Sequence, residues 1–112
     1  MDSGHDKPLV WLHGEFKMPP FSSAARIVAG PLLRRLQRGE ELGMPHFRAM
    51  RSIGAGCHEL RIGDDRRSWR IIYHVAEEAI VIFHVFEQKS RKTPSRIIEA
   101  SQRRLRAFDA AS

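Results

Sequence analysis

The feature that most constrains the fold is a set of three strand-like segments in the second half of the chain. Residues 57–62 alternate between apolar and polar, 68–75 are rich in aromatic and β-branched residues, and 79–88 are apolar almost throughout. Alternation with a period of two marks a strand, and a continuous apolar run is typical of an inner strand covered on both faces. Short polar turns at 63–68 and 76–78 join the segments. The pattern therefore favours an antiparallel meander.

Helices are predicted before and after this meander in the sequence. A serine at position 22 or 23 can cap a helix that extends to about Arg38, because apolar residues recur there at helical spacing. Pro31 is expected to kink or split that helix, since proline lacks an N–H and clashes with the preceding turn. The Thr-Pro-Ser sequence at 93–95 is typical of the start of a last helix.

The remaining segments complete a single-domain arrangement. Residues 8–13 are short and apolar and predict a first strand, whereas 43–57 are rich in glycine, proline and serine and predict an irregular connection. A chain of 112 residues suits one domain over 1–112. The expected fold class is α+β, with the order β-α(α)-β-β-β-α and the helices on one face of a small, largely antiparallel sheet.

Charge is the compositional feature that bears on partners. The chain has 19 lysines and arginines against 13 acidic residues, a net charge of +6, and 15 of the 19 are arginine. Arginine presents a planar fork of donors that matches phosphate oxygens. A basic, arginine-rich domain suggests a nucleic-acid partner, although an arginine-rich protein without such a partner has the same composition.

Several classes of protein are disfavoured by what the sequence lacks. It contains no nucleophile elbow, zinc-protease helix, Walker loop or dinucleotide-binding glycine motif, so no cofactor is expected. Cys57 is the only cysteine, which excludes an intrachain disulfide and a cysteine-rich zinc site, and a structural role is expected for it. The histidines do not have metal-ligand spacing; they lie at 5, 13, 46, 58, 74 and 84. No apolar run suits a membrane span or a signal peptide, so a cytoplasmic protein without membrane contact is expected.

A basic constellation in the meander is the strongest candidate for chemistry. Arg61 and Arg70 alternate away from their apolar neighbours and therefore point off the core face. Lys89, Arg91 and Lys92 follow the last strand. If these strand ends converge, the cations form a cleft that binds a phosphodiester and stabilises the extra negative charge of its transition state. The alternative is a set of solvated surface cations paired with neighbouring carboxylates.

Four segments together carry a family resemblance: FSSAARIVAGPLLRRLQRGEEL, HELRI, WRIIYHV and IVIFHVFEQKSRKTPSRIIEASQRRL. In their order and spacing, from about residue 8 to residue 108, the chain resembles the RelE/ParE superfamily of toxins and in particular its HigB-like, phage-derived branch. The resemblance implies a RelE-like fold and metal-independent endoribonuclease activity on mRNA at the ribosome. It also implies neutralisation by a cognate, DNA-binding antitoxin.

Carried over residue by residue, the resemblance assigns the catalytic positions to Arg61, Arg70 and Lys89. The residues expected to contact nucleic acid around them are Arg91, Lys92, His84 and Arg66. A general acid or base role for His84 and a packed structural role both remain open. His58 and Tyr73 share the core face of their strands and are expected to be structural.

One position departs from the family pattern. Glu59 occupies a strand position that is basic in some ribosome-dependent relatives, and an acid there either orients Arg61 or weakens phosphate binding. The superfamily also contains gyrase inhibitors that share the fold without nuclease activity. Two alternatives to the nuclease are therefore a gyrase-blocking inhibitor and an inactive phage-derived remnant.

Overall fold

The computed structural model describes residues 6–12, 23–42, 47–63 and 67–111. This part of the chain forms five strands and two helices, in the order β-α-β-β-β-β-α. Their bounds are β1 Leu9–Trp11, α1 Ser23–Gln37, β2 Phe47–Ala49, β3 Cys57–Gly63, β4 Ser68–Val75, β5 Ile80–Glu87 and α2 Ser95–Ala111. The predicted α+β class is confirmed.

The strands form one mixed sheet with the spatial order β1-β5-β4-β3-β2. The chain from β2 to β5 pairs antiparallel at each step, as short turns require, whereas β1 runs parallel to β5. The sheet is therefore largely antiparallel, as predicted. Strand β2 lies within the segment 43–57, which the composition predicted to be irregular. A three-residue edge strand is too short to produce a hydrophobic period in the sequence.

The two helices lie on opposite faces of the sheet, which corrects the prediction that both cover one face. The buried face of α1 packs with Leu60 and Ile71 in one apolar cluster, and Ile97 of α2 packs with Ile72 and Phe83 in another. Because β4 and β5 alternate between these clusters, both of their faces are apolar and each face needs its own covering layer.

Helix α1 continues through Pro31 instead of splitting there. Proline leaves the carbonyl of Ile27, four residues earlier, without its helical partner. Ile27 is 74% exposed and Pro31 is also exposed, so water can hydrate that carbonyl. The helix can therefore tolerate proline on its solvent side, while Leu32, Leu33 and Leu36 remain buried on the other.

Candidate functional site

Arg61 and Arg70 are direct cross-strand neighbours. In the antiparallel register of β3 and β4, Arg61 pairs with Arg70, flanked by the pair Leu60 and Ile71. Paired residues point to the same face of a sheet, and their neighbours point to the other. Both guanidinium groups therefore lie on the α2 side of the sheet, away from the cluster under α1, as the alternation predicted.

Glu59 lies between the two arginines and is almost completely buried. Its side chain is 2% exposed, and its Oε1 is 3.5 Å from Nε of Arg61 and 3.5 Å from Nε of Arg70. Thr93, just before α2, donates a hydrogen bond of 3.0 Å to the other carboxylate oxygen, Oε2. Like charges directly opposite each other in a sheet repel. The buried carboxylate offsets that repulsion and leaves the three side chains with a net charge of +1.

The two arginines differ in how much of the guanidinium group is available to a ligand. Arg70 is 14% exposed, and its Nη1 donates to Ser68 Oγ at 2.6 Å and to the Trp69 carbonyl at 3.0 Å. Burial lowers the pKa of Arg70 from its usual value, Glu59 opposes that shift, and the charge of Arg61 adds to it. Arg61 is 32% exposed, and within the described residues its terminal nitrogens have no hydrogen-bond partner. Arg61 is therefore the more accessible of the two guanidinium groups.

A second basic feature adjoins the arginine pair at Thr93. A cavity of about 550 Å³ opens between β2, the turn that follows it and the segment before α2. We call it the basic groove; it is lined by Arg48, Ala49, Met50, Arg51, Ser52, Arg91, Lys92, Thr93 and Ile98. Among the described residues, none of its four cations has an ion-pair partner. Thr93 belongs to both features, because it lines the groove and binds Glu59.

Comparison with known proteins places this chain in a family. The family model described as phage derived protein Gp49-like matches residues 17–106, which is most of the chain. The chain belongs to the Gp49-like family. This is a RelE-like toxin family, so the broad resemblance in the sequence is confirmed at the family level. A search of curated proteins and a search of solved structures gave no match.

The other residues predicted for the site of this Gp49-like chain differ in where the structure places them. Lys89 is exposed and follows Gln88, whose N–H donates to the Ser68 carbonyl at 2.7 Å. Lys89 is thus beside the first residue of β4, although it does not line the basic groove. His84 lies 2.9 Å, through Nδ1, from Nη1 of Arg104 on α2. Arg66 lies outside the described residues.

Two candidate functional residues of this Gp49-like chain were not predicted from the sequence. Arg48 and Arg51 lie in the segment predicted as an irregular connection, where no periodicity indicates a direction for their side chains. Only the pairing of β2 with β3 puts Arg48 opposite Glu59, and therefore on the same face of the sheet as Glu59. The available signal was weak: two of the chain's arginines come three residues apart, next to a strand that already carries Arg61.

The residues expected to be structural are packed in the core. Cys57 is buried beside His74, with Sγ 3.6 Å from Nδ1, and burial raises the pKa of its thiol to about 11. Tyr73 is 1% exposed, and burial raises the pKa of its phenol. His58 packs between the rings of Phe47 and Tyr73, and burial lowers the pKa of its imidazole.

Two kinds of feature are absent from the part of the chain that the structure describes. No group of three or more histidine, cysteine, aspartate or glutamate side chains is placed to hold a metal ion. Neither described helix has the length and apolar character needed to cross a membrane.

Proposed function

We propose that this chain is the toxin of a type II toxin–antitoxin pair, of the HigB-like branch, and that it cleaves ribosome-bound mRNA without a metal. The observation that supports this most is the facing pair Arg61 and Arg70, held on one side by the buried carboxylate of Glu59. Two adjacent guanidinium groups match the non-bridging oxygens of a phosphodiester. Arg70 is held by hydrogen bonds to Ser68 and to the Trp69 carbonyl before a ligand arrives, so this donor needs little reorganisation when charge develops.

The proposed reaction is an internal transesterification of RNA. The ribose 2′-oxygen attacks the adjacent phosphorus and loses its proton to a general base. A bond forms between the 2′-oxygen and phosphorus, and the bond from phosphorus to the 5′-oxygen breaks. Arg61 and Arg70 stabilise the negative charge on the non-bridging oxygens, and Lys89 donates a proton to the leaving 5′-oxygen. The products are a 2′,3′-cyclic phosphate and a free 5′-hydroxyl.

The position of Glu59 supports a role in orienting Arg61 over a role in weakening phosphate binding. An exposed carboxylate next to Arg61 would compete with phosphate, but this carboxylate is 2% exposed and turned inward towards Thr93. Its contact with Arg61 is to Nε, and among the described residues the terminal nitrogens of Arg61 have no hydrogen-bond partner. The departure from a basic residue at this position is therefore compatible with phosphate binding.

The test is cleavage of mRNA on translating ribosomes by the purified chain, which is first stripped of bound metal with EDTA and then added to the magnesium buffer that keeps the ribosomes assembled. We expect cuts with 2′,3′-cyclic phosphate ends, and we expect Arg61→Gln to reduce the rate by about 10²–10³. The matched control is Arg34→Gln, which removes the same charge from exposed α1 and should leave the rate unchanged. Message that stays intact with the unsubstituted chain under these conditions would refute the nuclease.

The triple variant Glu59→Gln, Arg61→Gln, Arg70→Gln separates the nuclease from a binding-only inhibitor, and its Glu59 substitution avoids leaving a buried carboxylate without its partners. Folded protein that has lost toxicity in induced cells is expected. Full toxicity of that variant would instead favour an inhibitor that blocks gyrase or another host complex, and absence of toxicity in the unsubstituted chain would indicate an inactive remnant.

We also propose a cognate, DNA-binding antitoxin as the protein partner. The support is the net charge of +6 together with the cations gathered around Arg61, since an acidic segment is electrostatically complementary to them. Co-purification of the neighbouring gene product across a salt series tests this proposal. Failure to co-elute at low salt would count against it.

A further inference from the structure

We propose that the basic groove is a second phosphate-binding subsite, which holds the backbone of single-stranded RNA beside the nucleotide bound at Arg61. This inference rests on the proposed function and adds a binding site to it. Neither Arg48 nor Arg51 belongs to the catalytic positions that the resemblance assigns. Both are exposed, on β2 and on the turn after it, and Arg91 and Lys92 line the same cavity.

The groove is continuous with the site at Arg61 through a single side chain. Thr93 lines the groove and hydrogen bonds to Glu59, which in turn contacts Arg61. Arg48 is also the cross-strand partner of Glu59, so the sheet places it on the same face as the arginine pair. An RNA strand that leaves Arg61 towards β2 therefore meets the groove cations.

The lining of the groove indicates which part of a nucleic acid it binds. Among the residues that the structure describes, the lining contains four cations, small polar side chains and a few aliphatic ones, but no aromatic ring and no carboxylate. Base recognition in single strands relies on stacking against aromatic rings, whereas cations bind phosphate oxygens. The groove is thus suited to the phosphate backbone and should not distinguish one base from another.

Its cations are also available for binding. Glu59 is the carboxylate nearest to them in the sheet, and it is buried against Arg61 and Arg70. On α1 the contrast is clear, because Arg35 and Arg38 both pair with Glu40, at 2.9 and 3.2 Å. A patch that lacks internal counter-charges attracts an external polyanion more strongly than a patch that is neutralised.

The test compares two double variants that remove equal charge from opposite faces. Arg48→Ser, Arg51→Ser removes two groove cations; Arg26→Ser, Arg34→Ser removes two exposed cations from α1. The probe is a 2′-O-methyl oligouridine of about a dozen nucleotides, which has no free 2′-hydroxyl and so cannot be cleaved. Its affinity is measured across a salt series, and an oligoadenosine and an acidic peptide of equal charge are measured beside it.

We expect the groove variant to lose about tenfold in affinity for both oligonucleotides, while the α1 variant matches the unsubstituted chain. Each phosphate contact in a single strand contributes about 0.7 to the slope of log affinity against log salt, so two lost contacts lower it by about 1.4. Equal losses in both variants would show diffuse attraction and overturn the subsite. Tighter binding of the acidic peptide than of RNA would assign the groove to a protein partner and also overturn it.

The same variants separate this inference from the proposed nuclease. If the groove variant loses RNA affinity as expected but the unsubstituted chain cuts no mRNA on ribosomes, the subsite stands and the nuclease fails. If mRNA is cut and the groove variant binds and cuts as well as the unsubstituted chain, the nuclease stands and the subsite fails.

Discussion

Replacing Glu59 by glutamine tests whether the buried carboxylate holds the arginine pair together. Glutamine keeps the shape of the side chain and an oxygen that accepts the hydrogen bond from Thr93, but it removes the charge. At 3.5 Å and an effective dielectric constant of about 20, each contact with Arg61 and Arg70 is worth about 5 kcal/mol before desolvation. Most of that gain is cancelled by the cost of burying the charges.

The expected loss follows from what the substitution leaves behind. Removing one partner of a fully buried pair costs about 3–5 kcal/mol, because the other charge stays buried and uncompensated. Arg61 is 32% exposed and Arg70 is 14% exposed, so water screens part of the remaining repulsion. We therefore expect Glu59→Gln to lower the free energy of unfolding by about 2 kcal/mol. For a domain of this size, that is a fall in Tm of about 8 °C.

The assay is urea denaturation at neutral pH, at low salt and at about 1 M salt, because salt screens surface pairs much more than buried ones. The matched control is Glu87→Gln, whose contact with Arg67 is 4.0 Å long and lies at the surface. That control should cost less than about 0.5 kcal/mol. Adding Arg61→Gln to Glu59→Gln should recover part of the loss, since it removes the like charge. Equal losses for Glu59→Gln and Glu87→Gln would refute the reasoning.

Three further predictions concern the core. Gly54→Ala places a Cβ 2.5 Å from Cδ2 of Leu105 and should lower the free energy of unfolding, measured by urea titration, by about 1 kcal/mol. The loss should be smaller in a Leu105→Ala background, and additive losses would contradict the close approach. Burial lowers the pKa of His58 in the folded chain, so the unfolded chain takes up the proton more readily. Stability should fall as pH drops below the ordinary value of 6.5, and His58→Phe should flatten that decline in urea midpoints; an unchanged slope would exclude His58 as its source. The thiol of Cys57, with its pKa raised to about 11, should react with a disulfide reagent about a hundredfold more slowly at neutral pH than in the unfolded chain, and equal rates would show that it is not buried.

The sequence by itself determined the central part of the fold. Strand β4 occupies 68–75 as predicted, β3 extends one residue beyond its predicted end, and β5 is one residue shorter at each end than predicted. These strands were predictable because alternation marks β3, aromatic and β-branched residues mark β4, and a continuous apolar run marks β5. The turns between them are also short. The same alternation assigned Arg61 and Arg70 to one side of their strands, and the Thr-Pro-Ser sequence marked the start of α2.

Only the tertiary structure decided which of these cations lie together. The register of β3 against β4 places Arg61 opposite Arg70, and the packing of the segment before α2 brings Thr93 to Glu59. Burial of a carboxylate depends on groups distant in sequence, here 34 residues away, and a local pattern does not encode them. The basic groove depends in the same way on β2, a three-residue strand defined by its partner. Periodicity specifies the face on which a side chain lies, whereas long-range pairing specifies its neighbours.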